Sequence, residues 1–419
     1  MSGTNGRSAP RTAVVVGAGM VGLSTAWFLQ ERGVEVTVVD RDAVAAGASW
    51  GNAGWISPGL SIPLPEPSVL RYGLRSLLDR NAPLYVPVRV DVGLWSFLLR
   101  FAAHCTMRSW RRSMRGFIPV NSQCLDAYDQ LAENGVAAPT VEAPITAAFE
   151  KRAQAADLLR ELALIRESGQ DIGFAELTGE EVRARMPQVS ERVELAIRLD
   201  GQRYVDPGAY TRALGEAVEK RGGTVRGAFT VTGVRPEGGA IAVRSADGET
   251  VRGDAVVLAA GSWITGLARS LGVRTRVQAG RGYSFTVPTE RPVPGPLYLP
   301  AVRVACTPYQ GRLRVAGTME FRGPDDPLDR GRIRAIISSA RPLLDGVAWE
   351  ERTDEWVGPR PVTPDGLPLV GATKAPGVYV AGGHGMWGLT LGPITGRLLA
   401  EQITTGKRTE ALAAFDPLR

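Results

Sequence analysis

The chain has 419 residues, 44% hydrophobic and 22% charged, with mean hydropathy −0.05 and a formal charge of +6. Such a length accommodates two or three domains of about 100–200 residues, each with its own core. No apolar run approaches the roughly 18–20 residues with which a helix spans a bilayer, so no membrane-spanning helix is expected. Three widely spaced cysteines, Cys105, Cys124 and Cys306, argue against a disulfide scaffold or a zinc framework, so no metal is expected.

The polar opening MSGTNGRSAPR lacks an apolar h-region and reads as a tail, which predicts a cytoplasmic protein. Val14–Val16 then form a buried-strand pattern, a 3.6-period stretch runs from about Leu23 to Gln30, and a second strand, Val34–Val39, ends at Asp40. Between strand and helix, Gly17, Gly19 and Gly22 spell G-x-G-x-x-G. Gly17 permits the tight turn, Gly19 lets the backbone approach a pyrophosphate, and Gly22 brings the helix close to the strand. Asp40, 23 residues after Gly17, is placed to accept from the adenosine ribose hydroxyls, which argues against a 2′-phosphate and hence NADP. FAD and NAD both satisfy this unit.

Asn52–Pro67 is too rich in Pro and Gly for a helix or central strand and is expected as an irregular loop. Helices follow from about Val69 to Ala132. Residues 71–115 hold nine arginines (Arg71, Arg75, Arg80, Arg89, Arg100, Arg108, Arg111, Arg112, Arg115) against Asp79 and Asp91. This excess alone accounts for the basic balance. A single helix over Leu94–Arg115 would gather Arg100, Arg108, Arg111, Arg112 and Arg115 within about a 120° arc, with Trp95, Leu98 and Leu99 nearer the other faces. Residues 95–115 are therefore a candidate for peripheral contact with the inner face of a membrane or an acidic partner. A solvated face or an oligomer contact is the competing reading. Nucleic acid is not expected, because no binding module accompanies the charge.

Pro207–Arg221 is an amphipathic helix ended by Gly222-Gly223, and Thr224–Val234 has strand character. Gly238-Gly239 and Ala246-Asp247-Gly248 are hairpin turns. Ala255–Leu258, within DAVVLAAGSW, is a buried parallel-type strand closing on small residues. Arg274 to about Phe321 reads as mostly antiparallel strand, and Arg330–Leu344 as helix.

GVYVAGGHGMWGLTLGPITGRLLAEQI, Gly377–Ile403, is another strand, glycine-rich turn and helix. A nicotinamide-only domain needs one phosphate-facing turn. A second close-approach loop at the far end of the chain suggests a cofactor gripped at both ends, favouring FAD.

VVVGAGMVGLSTAWFLQERG, ASWGNAGWISPG, VLAAGSW, and WVGPRPVTPDGLPLVG with VAGGHGMWGLTLGPITGRLLAE together resemble the FAD-dependent D-amino acid dehydrogenase family, within the wider D-amino acid oxidase, glycine oxidase and sarcosine oxidase group. The resemblance extends from Thr12 to Gly406. It implies that Gly17, Gly19, Met20, Val21 and Gly22 hold the pyrophosphate, Asp40 the ribose and Arg41 a neighbouring contact. Ser49, Asn52, Ala53 and Gly54 would lie along the flavin, and Val231, Ala260, Gly261 and Trp263 would line the adenosine half. Gly383, His384, Gly385, Gly388, Leu389 and Thr390 would approach the ribityl chain and pyrimidine edge.

Arg360, Tyr283 and His384 form the candidate catalytic set. In G-P-R-P the resemblance gives Arg360 a two-pronged pair with a substrate carboxylate, which lysine cannot reproduce; a buried ion pair is its competing role. Tyr283 is a second contact for carboxylate or amine, with Tyr309 and Arg303 behind it. The glycines around His384 suit a backbone-contact loop supporting reduced flavin better than a general base. Sarcosine oxidase-like enzymes attach flavin through a cysteine where this chain has Gly358, so non-covalent FAD is expected. Met386 replaces a second arginine of some glycine oxidase-like enzymes, and Met386-Trp387 is bulky enough to reshape the substrate pocket.

The expected fold is α/β: a Rossmann-type FAD-binding domain from segments 11–66, 200–273 and 355–410, a mostly antiparallel substrate domain from 141–199 and 274–354, and a helical insertion at 67–140. The expected reaction oxidises an amino acid's C–N bond by hydride transfer to flavin N5, then hydrolyses the imino acid to keto acid and ammonia. Electrons would leave to O2 or to a quinone or other carrier. Oxidation of glycine, an N-substituted glycine or a cyclic imino acid such as hydroxyproline is an alternative; a nicotinamide-only dehydrogenase and a flavin-binding subunit without its own amine oxidation are readings of other classes.

Overall fold

A computed structural model describes residues 9–70, 82–87 and 90–419. Arg71, Arg75, Asp79, Arg80 and Arg89 of the basic stretch lie outside the described residues.

The valine-rich strand Thr12–Val16 sits near the middle of a six-stranded sheet, in the spatial order Thr224–Arg226, Glu35–Val39, Thr12–Val16, Ala255–Leu258, Val378–Gly382 and Leu369–Ala372. The first five run parallel and only the last edge is antiparallel. Helix Met20–Gln30 covers this sheet and packs against helices Pro207–Lys220 and Gly388–Thr405. Because it is enclosed by these neighbours, nine of its eleven residues are buried, including Trp27 and Phe28. This parallel layer has the geometry in which ligands bind beyond the carboxyl ends of the strands.

The second sheet is larger and mostly antiparallel. Its strands follow the order Thr353–Val362, Gln278–Val287, Arg312–Phe321, Val304–Tyr309, Leu297–Leu299, Ile145–Phe149, Leu195–Leu199 and Phe174–Thr178, with Leu84–Tyr85 pairing beside Arg312–Phe321. Gln278–Val287 is buried over all ten residues, as expected for a strand covered on both faces. A separate three-stranded meander, Val231–Glu237, Ala240–Ser245 and Thr250–Gly253, turns at the two predicted hairpins.

Two expectations require correction. Leu94–Arg115 is not one helix: helix Val92–His104 stops at Cys105, Thr106 caps a new helix through the Ser109 N–H, and the second helix runs Met107–Asn121. Arg100 therefore leaves the arginine arc, while Arg108, Arg111, Arg112 and Arg115 remain exposed together on the second helix. The boundary placed between 354 and 355 also fails, because Thr353–Val362 pairs along its length with Gln278–Val287. Arg360 consequently projects from the second sheet, not from the dinucleotide layer.

Candidate active site

A groove of about 380 Å³ opens at the carboxyl ends of the parallel strands. Its floor begins at the turn after Thr12–Val16, where Gly17 holds φ 118° and an added Cβ would lie 2.4 Å from the Ala259 carbonyl oxygen. Only glycine suits that backbone and that approach. Gly22 does not line the groove; its own Cβ would fall 1.9 Å from the Gly17 oxygen, so it serves close packing beneath the turn. Gly19 precedes helix Met20–Gln30 with no side chain to cap it. Instead the Ser49 hydroxyl, 29 positions away, accepts from the Met20 N–H at 3.0 Å. The next first-turn N–H groups are left to receive an anion from the groove.

Asp40 lines the same groove and is held by two backbone donors, Ala18 N–H at 2.8 Å and Asp42 N–H at 2.9 Å. Arg41 stacks 3.9 Å over the Trp263 ring and pairs with Asp325 at 3.0 Å, while the Trp263 indole N–H donates to Asp325 at 2.9 Å. These three close the groove's outer end. Met20, Val21, Asn52, Val231, Ala260 and Gly261 also line it, and so do Gly385, Gly388 and Leu389 from the other end of the chain.

The second cavity, about 280 Å³, begins where the groove ends. Asn52, Arg360, Met386 and Leu389 line both spaces, so the two meet at these residues. Ala53 and Gly54, expected beside the flavin, face this chamber and not the groove. Met386 and Trp387 form part of its wall, the Trp387 indole N–H donating to the Ile62 carbonyl at 2.7 Å.

Arg360 donates to the Thr318 carbonyl at 2.7 Å and makes no ion pair with any described residue. Its guanidinium lies over Gly282, where a Cβ would come within 2.1 Å of Nη2. Burial lowers its pKa to about 10, leaving it cationic near neutral pH. The competing buried-ion-pair role is therefore not what the geometry gives.

Tyr283 is a correction. It lies on the buried strand, is 1% exposed, lines neither cavity, and donates its hydroxyl to Glu320 at 2.6 Å. Glu320 also meets Arg322 at 2.8 Å, so the tyrosine belongs to a buried charge network under the site. Thr390 likewise faces away, accepting from Ser57 N–H and donating to the Trp55 carbonyl. Gly383 packs against Thr363 and Leu369. Tyr309 is taken up by Arg314, stacked at 3.8 Å. His384 does border the groove, with Nε2 3.0 Å from the Thr395 hydroxyl and Nδ1 buried without a partner among the described residues. Burial pushes its pKa down to about 3, so it is neutral near pH 7 and no ready base.

Sequence reasoning missed Phe229 and Thr230 on the groove, and Glu66, Glu161, Tyr298 and Thr318 on the chamber. None stands in a motif; each arrives by packing of distant segments. Met386 and Trp387, expected to reshape the substrate pocket, both line the chamber.

A glycine-floored groove, a helix N-terminus with free first-turn N–H groups, an acid at the end of the second strand and an orphaned imidazole nitrogen fit a long dinucleotide reaching from Trp263 to the His384 loop. Together with an adjoining chamber, they define the class of flavin-dependent oxidoreductases. The chain belongs to the DAO family of FAD-dependent oxidoreductases, whose family model matches residues 12–402. It is 30% identical to a D-amino acid dehydrogenase of Vibrio vulnificus over 97% of this chain and 99% of that one. Identity to a D-amino acid dehydrogenase of Xanthobacter autotrophicus is 32%, over 93% and 94%. Among solved structures, glycine oxidase from Bacillus cereus shares the fold at TM-score 0.72 and 22% identity, covering 96% of this chain and 98% of that one. The FAD-bound L-α-glycerophosphate oxidase of Mycoplasma pneumoniae shares it at TM-score 0.71 and 17% identity, covering 95% and 96%.

Proposed function

We propose that this oxidoreductase oxidises the C–N bond of a small amino acid, in the manner of a D-amino acid dehydrogenase, yielding an imino acid that water hydrolyses to a keto acid and ammonia. The observation that carries the reading is Arg360: a cation with no acidic partner among the described residues, placed where the cofactor groove meets a chamber of amino-acid scale. The D-amino acid dehydrogenases aligned with nearly the whole chain support this substrate class.

Bound FAD would supply the two-electron acceptor. Residues 17–21 and Asp40 would hold its pyrophosphate and adenosine ribose, with Arg41 and Trp263 over the outer end and the loop from His384 to Leu389 at the inner end. Attachment is proposed as non-covalent, since Cys105, Cys124 and Cys306 are buried and none lines the groove. The free donors of Arg360 would take the substrate carboxylate as a two-pronged pair, restricting its rotation beside the groove. Trp387 and Met386 would help exclude water. Neutral His384 contributes its loop backbone and does not move the amine proton.

Anaerobic mixing with D-amino acids, N-alkyl glycines and proline derivatives tests the reading. Bleaching of the flavin band by D-amino acids supports it; bleaching by none of these amines returns the protein to a flavin-binding subunit.

A second observation bears on the electron acceptor. Val90, Val92, Trp95 and Leu99 are exposed apolar residues, with Val90 at 103% and Leu99 at 72% of full exposure, and exposed arginines follow on the next helix. Among the described residues no helix is long and apolar enough to cross a membrane. We infer peripheral contact of this face with an anionic membrane, where a quinone would be within reach. Flotation with anionic vesicles at low salt should carry the protein upward; its recovery wholly at the bottom would reject the contact.

A further inference from the structure

The substrate chamber carries a polar cluster that the proposed reaction does not use. Helix Ala155–Glu167 presents Leu158 and Glu161, three residues apart and so on one face, to the chamber. Tyr298, from strand Leu297–Leu299, and Arg303, after the turn that follows it, border the same space, as does Glu66. Arg303 holds φ 55°, a left-handed backbone that a long side chain rarely adopts. Its guanidinium lies against the Tyr298 hydroxyl within the field of both carboxylates.

Glu161 differs from the others. Among the described residues its carboxylate accepts no hydrogen bond and makes no ion pair, although it borders a largely apolar space. Burial and then the neighbouring Glu66 charge raise its pKa to about 7, and Arg303 offsets this only in part. With Arg360 assigned to the substrate's α-carboxylate, the described residues of this cluster set two carboxylates against one guanidinium. The imbalance leaves one negative acceptor unmatched.

We infer that Glu161 reads the tip of the substrate side chain and selects amino acids whose side chain ends in an ammonium or guanidinium group. This rests on the amino-acid oxidation reading with Arg360 as carboxylate anchor. Apolar walls such as Leu60, Phe101 and Met319 would cover the methylene stem, and only the cationic tip would reach Glu161. An anionic tip would meet Glu66 and Glu161 in a largely apolar space, with an Arg303 that Tyr298 already engages.

The test uses the FAD-loaded enzyme and two non-oxidisable carboxylates, 6-aminohexanoate and hexanoate, titrated by their perturbation of the flavin spectrum. The inference expects 6-aminohexanoate to bind about tenfold or more tightly than hexanoate, and Glu161→Gln to cut that ratio by about tenfold. A kinetic arm compares kcat/KM for D-lysine and D-norleucine; their ratio should fall in parallel in Glu161→Gln. Equal binding of the two ligands, tighter binding of hexanoate, no binding by either, or a ratio unmoved by the substitution each overturns the inference. Failure of the underlying reading looks different: no amino acid would then bleach the flavin, whatever the two carboxylates do.

Discussion

The guanidinium of Arg360 donates to the carbonyl of Thr318 at 2.7 Å, and Thr318 holds φ 60° in a bulge where Arg312–Phe321 slips register against Gln278–Val287. A β-branched residue in a left-handed backbone costs on the order of 1–3 kcal/mol and persists only where the surroundings impose it. Here the bulge lies beside the cation at the junction of groove and chamber. Strain, bulge and cation coincide at one point.

Arg360→Ala should leave the protein yellow and folded but raise KM for a carboxylate substrate, with a loss in kcat/KM equivalent to about 2–5 kcal/mol. Arg360→Lys should recover only part of this, because an ammonium cannot form the two-pronged pair. Steady-state kinetics on both variants check it; unchanged kcat/KM in the alanine variant would remove Arg360 from the substrate site.

Gly22→Ala should cost about 1–3 kcal/mol or more, since its methyl group would fall 1.9 Å from the Gly17 carbonyl oxygen and displace the turn that cradles the pyrophosphate. Thermal unfolding and the flavin content of the purified variant measure the two consequences. Full flavin content at unchanged melting temperature would contradict the packing.

Tyr283→Phe separates support from substrate contact. The change strips one hydrogen bond from buried Glu320, at a cost of about 1.5–3 kcal/mol for a charged acceptor. Stability should fall by that order while KM stays within about twofold of the parent value. A large KM effect at unchanged stability would restore Tyr283 to the substrate.

His384 gives a pH signature. Its folded pKa of about 3 lies below the unfolded value, so the unfolded chain binds the extra proton first. Its contribution to stability is fully present above about pH 6.5 and is lost as pH falls toward 3, with a slope of up to about 1.4 kcal/mol per pH unit. His384→Gln should flatten the denaturation midpoint over that window. An equally steep profile in the variant would assign the acid sensitivity elsewhere.

The sequence by itself determined the dinucleotide layer. Gly17, Gly19 and Gly22, the valine runs and Asp40 lie within one contiguous unit, and both backbone approach and strand periodicity are local properties that short spacing records. The second glycine-rich turn at 382–388 and the hairpins at 238–239 and 246–248 were legible for the same reason. Tertiary structure alone decided the substrate side. Ser49 at the first helix terminus, Thr318 under Arg360, Tyr283 turned onto Glu320, and Glu161 brought opposite Arg303 join residues tens to hundreds of positions apart. Burial of the second sheet then decides which polar side chains are spent on one another and which are left facing the chamber, and no periodicity encodes that choice.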